Sequence, residues 1–306
     1  VNHHIIRGTD QTLVDTSIKE SAPRVAHLIL AHAHPAQLDR LIKRLNHVNG
    51  YVFIHLDAKI DIDPFLFLEK KHTNCVLLKD RYSINWGGYS MIHATLRSME
   101  AILKSHSFDF IQLMSGSDYP TKPIADYHEM LYRHKGKSFM EVVDDHSDWS
   151  KDSKDKITYY HLVDKRFPGR YWVQWSINGI APRRRFPSEL VFKGRSQWMT
   201  LDHAHVQYVL DFEKNNPKII RYFKYTWGAD EYFFQSILYA SPFRKDLINN
   251  NWNYILWTKG KASPEILTIS DLPQLLEHPS FFGRKFDPNK SKELMDELDQ
   301  LHVKTE

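Results

Sequence analysis

From residue 24 onward, short apolar runs alternate with amphipathic ones, and that alternation leaves the chain few architectures to fold into. "RVAHLILAH" has the length and apolar density of a buried strand. "PAQLDRLIKRL" then sets Leu38, Leu41, Ile42 and Leu45 at helical spacing. "GYVFIHLDAK" is a second strand ending in polar residues, and "CVLLKD" a third, short one. "YSMIHATLRSMEAILKS" has the pattern of a helix, and "FDFIQLMSGSDYPTKP" that of a strand running into a turn. The order β-α-β-β-α-β calls for an α/β fold, a mostly parallel sheet with helices on its faces. Ligands of such sheets sit beyond the carboxyl ends of the strands. Asp57, Lys59, Ser115, Ser117 and Asp118 fall there.

The regularity lapses after residue 140. "EVVDDHSDWSKDSKDK" (141–156) is polar and charged and reads as an exposed loop, and "RFPGRYWVQWSINGIAPRRRFP" mixes aromatics, Gly, Pro and an Arg run. A short strand and a helix return in "SQWMTLDHAHVQYVLDFEKN". The chain then passes "TWGADEYFFQSIL" and the strand-like "NYILW" to an amphipathic last helix, "KSKELMDELDQLH". No repeat and no Gly/Pro/Ser-rich linker divides it. Residues 1–23 read as a flexible lead-in without the basic and apolar regions of a signal peptide, and 24–306 as one domain with an insert around 141–190.

Composition narrows the function classes. With 42% apolar residues the chain can bury a sizeable core. A net charge of +4 is mildly basic, far from the Lys/Arg stripes of a nucleic-acid binder. A lone cysteine, Cys75, excludes an internal disulfide and a cysteine-rich zinc site, and fits a reducing compartment such as a cytoplasm. No run approaches the length of a membrane span.

Five stretches carry candidate chemistry, each with a plainer alternative. In "TWGADEYFFQSIL" adjacent acids, Asp230 and Glu231, precede a short helix marked by Phe233, Phe234, Ile237 and Leu238. Acids there meet the positive end of the helix dipole, so capping explains them as readily as catalysis. Asp57 in "HLDAKIDID" is placed to bind a ribose or base, or to serve the turn. Asp61-x-Asp63 spells the D-x-D by which many nucleotide-sugar transferases hold a metal, a weak match in a chain with 37 acids. Gly87-Gly88 in "INWGGYS" lies between Trp86 and a helix, as a turn or as a backbone approach for phosphate. Asp118 with Lys122 in "LMSGSDYPTKP" is a pair able to position a polyhydroxylated ligand, beside residues that turn chemistry explains. Arg284 and Lys285 in "FFGRKFDP" are either aimed at an anion or are a solvated pair with snorkelling stems. No hydrolase elbow, zincin motif or kinase loop set occurs, and the 18 histidines are scattered.

In this order the pieces resemble the Core-2/I-branching β-1,6-N-acetylglucosaminyltransferase and peptide O-xylosyltransferase family. "HLILAH", "YVFIHLDAK", "WGGYSMIHATLRSM", "FDFIQLMSGSDYPTKP", "FMEVVDD", "YYHLVDKRF", "SQWMTL", "GADEYFFQSIL", "NYILW" and "FFGRKFDP" carry the likeness over roughly residues 24 to 290. Each is short; the ordered set is specific. Bacterial-type members look nearest, since the chain lacks the cysteine framework and membrane anchor of the Golgi enzymes.

The resemblance implies a GT-A type fold and inverting transfer of a sugar from a UDP-sugar, of the N-acetylglucosamine or xylose class, to a hydroxyl of a glycan or other acceptor, with no metal or other cofactor. It implies Glu231 as the catalytic base, Lys285 with Arg284 beside it on the diphosphate, and Asp57 on the uridine. Trp86 and Asp118 would line the donor pocket, and Glu141 and Trp257 would contact the acceptor sugar. Inverting transfer is a single displacement in which one carboxylate suffices, unlike the paired acids of a glycosidase. Asp230 is then left to support the start of the helix. Upstream of "SDL" (270–272), where some relatives carry a second phosphate-binding arginine, there is none, and Lys259 or Lys261 is the substitute. The expected setting is a bacterial cytoplasm and polysaccharide biosynthesis, with no nucleic-acid partner and peripheral association at the inner membrane. The rivals are a metal-dependent transferase using Asp61 and Asp63, an inactive sugar-binding module, and, more weakly, a glycosidase.

Overall fold

A computed structural model of the chain describes residues 22–143, 147–258, 261 and 263–303. The reading of a lead-in thus falls, but for its last two residues, outside the described residues.

The first half follows the apolar pattern closely. It runs β1 (Val25–Ala31), α1 (Pro35–Arg44), β2 (Gly50–Leu56), α2 (Phe67–Lys71), β3 (Cys75–Leu77), α3 (Tyr89–Ser105) and β4 (Phe110–Ser115). A short β5 (Asp118–Pro120), α4 (Ile124–Arg133) and β6 (Ser138–Val142) come next. All seven residues of β1 are buried, and they alternate between two cores. Ala26, Leu28 and Leu30 pack with Ile92, Leu96 and Met99 of α3 on one face. Val25, Ile29 and Ala31 pack with Leu38, Leu41 and Ile42 of α1 on the other. Burying each valine, leucine, isoleucine or methionine side chain is worth roughly 1.5–3 kcal/mol, so the sheet is held from both sides.

The middle departs from the sequence reading. The stretch expected to be an exposed loop, 141–156, instead holds the end of β6 and most of a helix, α5 (Asp148–Thr158), followed by α6 (Arg170–Ile180). Trp149 of α5 packs against the core beside Phe192 and Tyr232, and that anchorage orders a helix whose other faces are polar.

The remainder is β7 (Arg195–Asp202), α7 (His203–Asn215), α8 (Pro217–Phe223), α9 (Phe233–Tyr239), β8 (Leu247–Asn249), β9 (Asn253–Ile255), α10 (Leu272–Glu277), β10 (Phe282–Arg284) and α11 (Lys292–Val303). Asp202 caps α7 by accepting from the Ala204 N–H at 2.9 Å.

The main sheet has the order β3-β2-β1-β4-β7-β6-β8, and a three-stranded sheet has the order β5-β10-β9. In the main sheet only β7 runs against its neighbours, β4 and β6. Its first residue, Arg195, therefore lies at the same edge as the carboxyl ends of β2, β1, β4, β6 and β8.

Two buried histidines give the fold an acid sensitivity. Burial holds His27 down to about 4, its Nδ1 lying 2.6 Å from Gln112 Oε1. Burial also holds His55 down to about 4, its Nε2 accepting from the Tyr82 N–H. Both values lie below the ordinary 6.5, so below that pH the unfolded chain takes up protons that the folded chain refuses. The contribution of these two histidines should be full above pH 6.5 and fall until about pH 4, by on the order of 2–3 kcal/mol per histidine. Melting temperature followed from pH 7.5 to 4.5 should drop steadily, and His27→Gln should flatten the drop; a level profile for the parent would contradict this account.

Candidate active site

The sheet gathers the candidate residues at one edge. Asp57 follows β2, and Asp118 follows β4 through a tight turn in which its Oδ2 accepts from the Ser115 N–H at 2.8 Å. Glu141 stands near the end of β6, and Asn251 follows β8. This is the carboxyl edge where ligands of parallel sheets bind.

Glu231 ends a 3-10 turn, Ala229–Glu231, fixed from both sides. Gly228 before it takes φ 65°, and its N–H donates to the Gly87 carbonyl at 2.8 Å. After it, Phe233, Phe234, Ile237 and Leu238 are all buried, as their spacing predicts. The plainer alternative, that the acids cap this helix through side-chain hydrogen bonds, is not seen. Tyr232 occupies the cap position, no side chain caps it, and both acids sit in the preceding turn.

The two acids meet different surroundings. The Glu231 side chain is about a third exposed, and its Oε2 accepts from Lys156 Nζ of α5 at 3.3 Å. Burial raises its pKa, opposed by the Lys156 charge and, more weakly, by Arg195. Asp230 is pushed up to about 7, by burial and then by the neighbouring Glu231 charge. Its Oδ1 is buried with no hydrogen-bond partner among the described residues. Of the pair, Glu231 is the accessible, charge-supported carboxylate.

Two arms lead away from Glu231. On one, the Lys156 ammonium lies 4.7 Å from the Trp227 ring centroid, and Trp86 stands edge-on to Trp227 at 5.3 Å. Trp86 is 65% exposed, free to offer its ring to a ligand. Its loop reaches Asp57, whose carboxylate accepts from the Ile84 N–H at 3.4 Å and the Lys59 N–H at 2.9 Å. Lys59 Nζ also pairs with Asp57 at 3.2 Å. On the other arm, Arg195 Nε lies 3.7 Å from Glu141 Oε1, and Asn251 Nδ2 donates to Glu141 Oε2 at 3.2 Å. Burial raises the Glu141 pKa against the Arg195 charge.

The small sheet sets the basic residues. In register, Arg284 of β10 stands opposite Asp118 of β5 and beside Ile255 of β9. Asp118 is fully buried and bonds Arg284 at 2.7 Å, while the Arg284 guanidinium lies 4.5 Å over the Trp198 ring. Burial raises the Asp118 pKa, against the Arg284 charge. Asp118 is therefore engaged with Arg284, not with Lys122, whose ammonium faces the Phe281 ring at 5.9 Å. Lys285 and the 48% exposed Trp257 leave the same end of the adjacent parallel strands β10 and β9. Among the described residues, no acid pairs with Lys285.

Lys156, Trp149 and Arg195 were not singled out by sequence reasoning; the first two lie in the run that looked like a loop. Lys261 is tied to Glu265 at 2.5 Å, and Lys259 lies outside the described residues. Asp61 and Asp63 are exposed, and Asp61 Oδ1 accepts from the Asp63 N–H at 3.1 Å. Among the described residues no group of three or more His, Cys, Asp or Glu is placed to hold a metal ion.

One glycine sets how closely β7 approaches the acid. A Cβ on Gly194 would lie 2.1 Å from the Glu231 carbonyl oxygen and 3.0 Å from the Trp149 ring. Gly194→Ala must displace the turn, and overpacking of this kind costs about 1–3 kcal/mol. A lower midpoint in urea is expected, and an unchanged midpoint would show that the turn yields freely.

The Core-2/I-Branching enzyme family profile matches residues 25–276. Xylosyltransferase 2 from Rattus norvegicus is 27% identical over 300 residues, covering 90% of this chain and 33% of the rat protein. Xylosyltransferase oxt from Drosophila melanogaster is 26% identical over 321 residues, covering 97% of this chain and 35% of the fly protein. The chain thus spans about a third of the length of these relatives. A solved structure, a putative glucose-1-phosphate thymidylyltransferase from Bacillus anthracis, aligns over 60% of this chain and 74% of its own at 10% identity and a TM-score of 0.32, too distant to bear on the site. The profile covers most of the chain, residues 25–276 including the sheet edge, Glu231 and Trp257, and the chain belongs to the Core-2/I-branching enzyme family.

Proposed function

We propose that the chain is an inverting glycosyltransferase that moves a sugar of the xylose or N-acetylglucosamine class from a UDP-sugar to a hydroxyl acceptor, without a metal ion. The observation that carries the reading is Glu231, a partly exposed carboxylate held against Lys156 at the carboxyl edge of the sheet. Its support from the relatives is their printed name, xylosyltransferase.

In this mechanism Glu231 takes the proton of the acceptor hydroxyl as that oxygen attacks the anomeric carbon. The bond from that carbon to the diphosphate oxygen breaks on the opposite face, and UDP leaves with the charge. Lys285, unpaired with any described acid, is the cation for the diphosphate, and Arg284 is held beside it by Asp118. Asp57 and Trp86 form the nucleoside and sugar side of the donor site, and Glu141 and Trp257 the acceptor side. The Lys156 charge opposes the burial that raises the Glu231 pKa. Asp230, whose Oδ1 is buried without a partner among the described residues, is the less reachable of the two acids for an acceptor hydroxyl. The single cysteine, Cys75, is a buried free thiol pushed up to about 12, inert in this chemistry and suited to a reducing cytoplasm.

The test is UDP release and product formation from a panel of UDP-sugars in excess EDTA. Turnover should persist; loss of turnover restored by manganese would move the diphosphate to Asp61 and Asp63. Glu231→Gln should lower transfer by roughly 10²–10⁴-fold with UDP affinity and melting temperature nearly unchanged. Near-parental transfer by Glu231→Gln, with Asp230→Asn inactive, would make Asp230 the base. Lys285→Ala should weaken UDP binding by roughly 1.5–3 kcal/mol, the worth of a charged hydrogen bond. UDP bound as tightly as by the parent would return Lys285 to an ordinary surface role.

A further inference from the structure

Helix α6 has its amphipathic faces reversed. Its polar side chains turn inward: Gln174 accepts from the Leu162 N–H at 2.8 Å, and the Asn178 amide exchanges two 2.8 Å hydrogen bonds with the backbone of Tyr160. Its apolar side chains turn outward, with Tyr171 71%, Trp172 74%, Trp175 72% and Ile180 89% exposed. No residue of the helix is buried. Trp172 and Trp175 pack edge-to-face on each other, 6.1 Å between centroids. A helix on a water-facing surface has the opposite arrangement, and a contiguous outward apolar face marks a contact with something else.

The surrounding charge says what that something is. Residues 165–188 contain six basic residues, Lys165, Arg166, Arg170, Arg183, Arg184 and Arg185, and no acid. Arg184 is buried, spent on the backbone carbonyls of Tyr159, Tyr222 and Tyr225. Lys165 and Arg166 before the helix, and Arg183 and Arg185 after it, are exposed. Tryptophan and tyrosine rings bracketed by cations match the boundary between acyl chains and anionic headgroups. A second copy docking through the same face would set these cations against their own images.

We infer that α6 is an interfacial anchor that lays its Tyr171, Trp172, Trp175 and Ile180 face into an anionic bilayer surface, with the flanking cations on lipid phosphates. The anchor is braced to the candidate site. Arg166 hydrogen-bonds the side chain of Asn85, in the loop that carries Trp86, and Asp164 accepts from Asn85 Nδ2 at 3.0 Å and from the Ser90 N–H at the start of α3 at 2.9 Å.

Co-sedimentation of the full chain with vesicles tests this. Binding is expected to vesicles of phosphatidylcholine mixed with phosphatidylglycerol and not to phosphatidylcholine alone, weakening as salt rises, with a blue shift of tryptophan emission. The double variant Trp172→Ala, Trp175→Ala should lose at least about tenfold in partitioning while its melting temperature and UDP affinity stay parental. Lys165→Glu with Arg185→Glu should lose binding in the same way. No binding to anionic vesicles, equal binding to neutral ones, or full retention by the tryptophan variant would overturn the proposal. So would a parent that self-associates in sedimentation velocity while the tryptophan variant is monomeric, since the face would then belong to a second copy.

Discussion

Burying β1 on both faces commits the chain to a layer of helices on each side of the sheet, and most other features follow from meeting that demand. Parallel neighbours of a doubly buried strand need crossovers, and α1 and α3 supply them on opposite faces. The crossovers bring the ends of β2, β1 and β4 to a common edge. The one reversed strand, β7, then delivers the start of its own sequence to that edge, which is how a basic residue at position 195 comes to stand beside an acid at 141. The placement of the candidate site in this fold is thus inherited from hydrophobic burial.

Charge at the edge is arranged by solvent access. Asp118 has none, so its ion pair with Arg284 acts on geometry more than on stability: buried pairs contribute little net free energy, yet removing one partner leaves an uncompensated charge. Glu231 has partial access and a lysine partner, whereas Asp230, next in sequence, has an oxygen with neither. Burial raises the pKa of both adjacent carboxylates, but only at Glu231 does a lysine bonded to the carboxylate oppose that rise.

Strands and helices with a single clear period were legible in the sequence, and so were the strand ends, because parallel topology places ligands there. What escaped had no apolar period to show. In α5 the core contact rests on Trp149 and Ile157, within a run otherwise made of Asp, Lys, Ser and Thr, so the helix looked like a solvated loop and Lys156 like one charge among many. Helix α6 does have a period, but its faces are reversed. The partner of Asp118 was missed for another reason. Lys122 is four residues away, but Arg284 is brought across 166 positions by the antiparallel register of β5 and β10, which local reading does not see.

Helix α5 has a consequence for anyone who would re-engineer the enzyme. The segment packed beside the acid also supplies its counter-charge through Lys156 and a contact through Trp149. Grafting a foreign loop here would remove the counter-charge that opposes the burial-driven rise of the Glu231 pKa. The packing beside Gly194 and the charge beside Glu231 are therefore tied to one element, and a chimera would change both together.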